Sequence, residues 1–286
     1  MASFTKTIVR PVVEADRRQL ANLLHFEAYV HRHLDWRAPL EWMGSSPFLV
    51  SEQGGKLRAA LACPQDPPGV AWIRLFTVSS NWSPEKAWRE LWPAAITELK
   101  QTPEIQIAAI PLHHWFKEVL AKNDFHLVNQ VVLLQWDSVS PIPAIKNVPQ
   151  LVLRPINFDD LPIVTEIDNQ AFEPLWQISQ ESLEYAFRQS SVSTLAEMDG
   201  YPVGYQISTG NPLGGHLARL AVRQQNQKQG IGSALLFDLL NQFKRRGAVR
   251  VTVNTQQTNH ASLSLYHRIG FIETSEVFPV YKLQKS

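Results

Sequence analysis

Two stretches late in the chain hold residue types whose spacing could do chemistry. The first is Gln227-Lys228-Gln229-Gly230-Ile231-Gly232-Ser233, entered by the apolar residues Leu217, Leu220, Ala221 and Val222. Beyond it, Gly232, Leu235, Leu236, Leu239, Leu240 and Phe243 fall at the 0, 3, 4, 7, 8, 11 spacing of one helical face. An apolar strand, a polar glycine-bearing turn and an amphipathic helix together make a backbone cradle for phosphate. The first N–H groups of a helix lack partners, and the helix dipole adds partial positive charge there. Glycine also lets a ligand approach that backbone closely. Two common nucleotide loops do not fit: Gly232 is followed by Ser233 and Ala234 instead of Lys-Ser/Thr, and Leu235 stands where a dinucleotide loop has its third glycine. The second stretch is Asn259-His-Ala-Ser262-Leu-Ser-Leu265-Tyr266-His-Arg-Ile-Gly270-Phe271, which carries an amide and a phenol just after an apolar strand.

The elements that must position these residues read as strand 151–155, helix 158–172, helix 180–189 and strands 194–199 and 202–209. A turn over 210–215 leads to strand 216–222, the loop, and helix 231–246 closed by Gly247. Strand 249–255, helix 260–268 and strands near 271–276 and 278–284 complete the pattern. Consecutive strands predict an antiparallel meander, and the long helix predicts that strand 249–255 lies parallel to 216–222.

An internal repeat accompanies this pattern. Ile8-Val9-Arg10-Pro11 returns as Val152-Leu153-Arg154-Pro155, and Leu75-Phe76-Thr77-Val78 as Arg219-Leu220-Ala221-Val222, both 144 positions on. The period is far beyond that of solenoid repeats and indicates duplication of a whole domain. Pro141, Pro143 and Pro149 break up the stretch between the copies. The expected organisation is a first domain at 1–137, a linker at 138–150 and a second domain at 151–286. By register, Ser83, Lys86 and Trp88 replace Gln227, Gly230 and Gly232, so bulky side chains are expected to obstruct a phosphate in the first half.

The two motifs, in this order and at this separation, resemble the signatures of the GNAT superfamily of N-acyltransferases. The resemblance covers 151–286 and, more weakly, 8–137. It implies an α/β (α+β) fold of two tandem GNAT-like domains, the first degenerate, each a mixed, mostly antiparallel sheet flanked by helices. It further implies acetyl-CoA as co-substrate, with no metal, held where two parallel strands splay apart. Leu220, Ala221 and Val222 would meet the pantetheine through backbone hydrogen bonds. Lys228, Gln229, Gly230, Ile231, Gly232 and Ser233 would cradle the pyrophosphate, with Gln227 orienting the loop. Asn259 would bond the pantetheine arm, and Tyr266 would stand near the thioester sulfur as general acid. The implied reaction is direct attack of a primary amine on the thioester in a ternary complex. Family members often place a basic glutamate on either strand beside the site; here the later position is Asn254, leaving His216 or water as the base. Glu173, Trp176 and Tyr185 lie where the family builds its acceptor site. A non-catalytic acyl-CoA sensor or regulatory module is the alternative.

Bulk properties agree with a globular protein able to bury a core. Hydrophobic residues make up 44% of 286, charged residues 19%, and the net charge is +1. No long basic run points to nucleic acid. The single cysteine, Cys63, allows no internal disulfide, and no apolar run reaches the roughly 18 residues of a membrane helix. A cytoplasmic protein with no membrane partner is expected; the identity of the amine is open, as is oligomeric state, a homodimer included.

Overall fold

The computed structural model describes residues 6–284. They divide into two compact units, one comprising residues 6–128 and 278–284, the other 129–277. The duplication is visible down to single ion pairs. Arg10 holds Asp16 at 2.7 Å and Glu52 at 2.7 Å; Arg154 holds Asp160 at 2.7 Å and Glu197 at 2.8 Å. Each brace pins a first strand to the start of a helix and to a neighbouring strand, which is an architectural task.

In the second unit the strands Leu151–Pro155, Val192–Met198, Tyr201–Asn211 and Gly214–Val222 run antiparallel in that order. Gly214–Val222 then pairs in parallel with Arg250–Gln256, as expected from the long intervening helix. Residues 131–137 flank Arg250–Gln256 on its other side, antiparallel. The helix Ile231–Arg245 buries Ile231, Ala234, Leu235, Leu236, Leu239, Leu240 and Phe243 against the sheet. Each such fully buried Leu or Phe contributes about 1.5–3 kcal/mol. Gly247 closes this helix at φ 81°, the left-handed conformation glycine tolerates best.

Three local readings change. The expected turn over 210–215 shrinks to Pro212 and Leu213, with Gly214 and Gly215 already inside the strand. Glycine is required there by packing: a Cβ on Gly215 would lie 2.6 Å from the Phe243 ring. The expected helix 158–172 begins as a 3-10 turn, Phe158–Asp160, and becomes the helix Leu161–Ala171. The two short final strands are one, Ile272–Leu283, which continues through Pro279.

In the first unit, strands Ile8–Pro11, Phe48–Gln53, Lys56–Ala62 and Leu75–Val78 form an antiparallel series. Val70–Trp72 pairs in parallel with Gln106–Ala109, the same register 144 positions before Gly214–His216 against Arg250–Thr252. The strands Phe125–Asp137 and Ile272–Leu283 each begin in one unit and end in the other. The expected linker 138–150 lies, by compactness, with residues 129–277 in the second unit.

Candidate active site

The strand Gly214–Val222 does not stay paired along its length. Its parallel pairing runs from Gly214↔Arg250 to Leu217↔Val253 and stops. On the opposite side, pairing with Tyr201–Asn211 jumps from Leu217↔Ser208 to Arg219↔Ile207, so Ala218 is a bulge. A bulge bends its strand and strengthens the local twist, which turns Arg219–Val222 away from Asn254–Gln256. No strand among the described residues pairs with that freed edge of Arg219–Val222. Leu220, Ala221 and Val222, expected to offer backbone hydrogen bonds to a ligand, stand on it.

The loop at the end of this edge is shaped by its own amide side chains. Gln227 donates from Nε2 to the Val222 carbonyl at 3.1 Å, closing the loop onto the strand end. Gln229 donates to Gln225 O at 3.2 Å. Lys228 at φ 62° and Gly230 at φ 92° are both left-handed, which turns the chain sharply into the helix. Gly230 is the N-cap and supplies no side-chain cap, and the first turn holds no acidic residue. The N–H groups of Ile231, Gly232 and Ser233 therefore carry the positive end of the helix without a local acceptor. Gly232 has a packing task too: a Cβ there would lie 3.1 Å from Leu265 of the helix His260–Ile269.

The first unit shows the same site closed. Its helix Pro84–Leu99 is capped by the Ser83 hydroxyl, which accepts from Lys86 N at 3.2 Å; Pro84 removes one donor and Glu85 adds negative charge. The strand Tyr29–Arg32 lies antiparallel on Leu75–Val78, from Tyr29↔Val78 to Arg32↔Leu75. Those residues are the counterparts of Arg219–Val222, so the chain's own backbone takes the hydrogen bonds that remain free in the second unit. Trp88 does not obstruct the loop as its bulk suggested; it is 1% exposed, stacked on Trp92 in the core. Isothermal titration with acetyl-CoA should accordingly give one equivalent per chain; two equivalents would contradict the closed first site.

Tyr266 is 5% exposed and packs in the same core cluster as Leu217, the last paired residue before the splay. Burial pushes its hydroxyl pKa well up, against a smaller opposing effect of a hydrogen bond with Ser262. The phenol therefore keeps its proton at neutral pH, as a donor must. Asn259 caps its helix, with Oδ1 accepting from Ser262 N at 3.1 Å and Nδ2 donating to Gln256 Oε1 at 3.4 Å. His216 sits in the paired part of the strand, half-buried, with Nδ1 2.9 Å from Thr252 Oγ1. It alternates with Leu217, and Thr252 alternates with buried Val251 and Val253, so His216 occupies the sheet face opposite Tyr266. Burial lowers its pKa. The neutral imidazole thus predominates at pH 7. The strand and loop residues come together as one surface; His216 stands apart from it on the other face.

Local sequence gave no sign of one further cluster. Asp168, fully buried on the helix Leu161–Ala171, accepts from Arg219 Nε at 2.7 Å and Nη2 at 2.8 Å, and from the Tyr205 hydroxyl. Arg219 Nη2 also donates to the Trp176 carbonyl at 2.6 Å, and its guanidinium lies 3.8 Å from the Phe172 ring centre. Burial works against the Arg219 charge; the Asp168 charge and hydrogen bonds outweigh it and raise the pKa further. Asp168, with these three donors already on it, is a poor candidate for a general base. Among the described residues no group of His, Cys, Asp and Glu could hold a metal ion, and no helix is long and apolar enough to cross a membrane.

Comparison with known proteins agrees with this geometry. The family model of the acetyltransferase (GNAT) domain matches residues 163–281. N-alpha-acetyltransferase 30 of Schizosaccharomyces pombe is 32% identical over 75 residues, 26% of this chain and 50% of that protein. An uncharacterized N-acetyltransferase of Methanocaldococcus jannaschii is 29% identical over 122 residues, 42% of this chain and 78% of its own. The match thus spans half the length of the first relative and over three quarters of the second. A tandem GNAT protein from the clavulanic acid biosynthesis pathway shares the fold across 98% of this chain and 100% of its own, at TM-score 0.64 and 15% identity. The second half of the chain thus matches the GNAT acetyltransferase domain, and the fold of a tandem GNAT protein extends through the whole chain.

Proposed function

We infer that the second unit transfers an acetyl group from acetyl-CoA to a primary amine by direct attack in a ternary complex. One observation carries the reading: among the described residues no strand covers the edge Arg219–Val222, where Gln227 takes the Val222 carbonyl, and the helix behind Gly230 is uncapped, whereas their counterparts in the first unit are both occupied by the chain itself. The free edge suits the amide-bearing pantetheine arm, and the loop suits the pyrophosphate. Ligand and loop would meet through main-chain N–H groups, with Lys228 adding charge.

The chemistry follows from ordinary acidities. A lysine-like amine has a pKa of about 10.4 and must be neutral to attack. Its nitrogen bonds to the thioester carbon while a strand N–H stabilises the developing oxyanion. The C–S bond then breaks. The departing thiolate, with an ordinary thiol pKa of about 8.5, takes the Tyr266 proton, and water returns one to the phenolate. The extra proton on nitrogen leaves to water, or through water to His216 on the other face of the sheet. If His216 is the base, the lowered imidazole pKa places the acid limb of the rate profile below about pH 6.5, the unperturbed value. His216→Ala should then remove that limb; an unaltered profile assigns the proton to water.

The test is thiol release from acetyl-CoA against a panel of amines: an aliphatic diamine, an aminosugar, a lysine-containing peptide and a peptide with a free α-amine. The last is included because the fission yeast relative is by name an N-alpha-acetyltransferase. Turnover with any of them supports the reading. Asn254, which cannot take a proton, occupies a position beyond the last parallel pair and favours a sensor instead; tight acetyl-CoA binding without turnover on any amine would establish that alternative.

A further inference from the structure

Residues 172–177, between the helices Leu161–Ala171 and Gln180–Arg188, are tied to the splayed strand by the Arg219 side chain. Arg219 holds Asp168 by two bonds, the Trp176 carbonyl by a third, and covers the Phe172 ring. Buried ion pairs are a weak source of stability, because desolvation cancels most of their attraction and well-packed apolar groups serve as well. What a guanidinium supplies is direction: a planar fork that engages a carboxylate with one edge and a carbonyl with another. The position of the fork is equally specific. Arg219 forms the first pair beyond the Ala218 bulge, with Ile207, in the segment whose opposite edge no strand among the described residues covers.

We propose, on the basis of the acetyl-CoA reading above, that Arg219 is a positioning residue that couples occupation of the edge Arg219–Val222 to the ordering of segment 172–177. Backbone hydrogen bonds from a ligand to Leu220, which faces that edge, fix the main chain next to Arg219, whose own N–H and C=O face Ile207. The fixed main chain holds the guanidinium, and the guanidinium holds the Trp176 carbonyl and the Phe172 ring. The segment is thereby ordered by acetyl-CoA without touching it.

The experiment is hydrogen exchange of the 172–178 amides with and without saturating acetyl-CoA, alongside calorimetric affinity and Tm. In the wild type, saturation should slow these amides at least fivefold. The apolar replacement Arg219→Met/Asp168→Leu/Tyr205→Phe leaves no orphaned partner in the triad. It should keep acetyl-CoA affinity within threefold and Tm within a few degrees, yet lose the slowing. Arg219→Lys gives a second, milder variant: its ammonium can pair with Asp168 but lacks the fork that reaches Trp176 as well, so the slowing should again be lost. A purely structural role predicts that slowing returns whenever Tm does. Slowing that persists in either folded variant overturns the proposal, as does acetyl-CoA binding to the wild type with no change in these amides. No binding to the wild type at all overturns the acetyl-CoA reading itself, and the coupling with it.

Discussion

Gly230→Val should weaken acetyl-CoA binding at least a hundredfold, about 2.7 kcal/mol, measured by calorimetry below the melting transition. Two physical effects converge on this residue. Its φ of 92° suits glycine, and a β-branched residue held there pays about 1–3 kcal/mol of backbone strain. A Cβ would also lie 3.0 Å from Val148 Cγ2, tighter than ordinary contact. The loop can relieve both only by rotating, and rotation turns the N–H groups of Ile231, Gly232 and Ser233 away from a common point. Asparagine tolerates the left-handed region better than other non-glycine residues, so Gly230→Asn should fall between wild type and Gly230→Val. That ordering would identify backbone conformation as the cause. Equal affinity in all three would remove the loop from pyrophosphate binding.

Tyr266→Phe should lower kcat by about 10²–10⁴, the usual worth of a positioned general acid, while acetyl-CoA affinity changes less than twofold. The phenylalanine ring keeps the packing against Phe271, whose ring centre is 5.8 Å away, so only the hydroxyl and its proton are lost. The raised pKa makes the prediction specific: the wild-type profile should show no loss of the acid as pH rises through about 10, where an ordinary phenol ionises. An unimpaired Tyr266→Phe enzyme, assayed with the best amine of the panel, would take the residue out of the mechanism.

Much of this arrangement is legible in the sequence because its causes are local. The apolar run into Val222, the amphipathic spacing after Gly232 and Gly247 at the helix end each fix an element from nearby residues alone. The repeat is legible for the same reason, since Arg10 and Arg154 recur with Asp16 and Asp160 in step and with Glu52 and Glu197 one position off. What escaped depends on distant partners. Tyr29-Val30-His31-Arg32 has no strand-like alternation, and it becomes a strand because Leu75–Val78 offers it an uncovered edge. Asp168 and Arg219 carry no shared signature at a separation of 51 residues, and their pairing needs the tertiary fold. Gly215 looks like a turn residue until the Phe243 ring is seen on top of it. In each case a residue type that suits several settings is decided by a neighbour the local sequence does not name.

The membership of the two long strands bears on how the protein is made. A gene divided at the repeat boundary would yield two fragments, each short of one strand. Residues 151–286 would hold Arg250–Gln256 without its neighbour 131–137, and residues 1–137 would hold Ala108 and Ala109 without Lys282 and Tyr281. Each fragment exposes an unpaired ladder that invites aggregation, so each should be insoluble alone and soluble when the two are produced together. On the ribosome the same arrangement imposes a delay. The first unit gains its closing residues from 278 onward, 150 residues after it breaks off at 128. At about 5–20 residues per second that is a wait of roughly 8–30 s. The unit that emerges first is therefore the last to be completed, and for that interval its open edge depends on whatever else in the cell keeps strands apart.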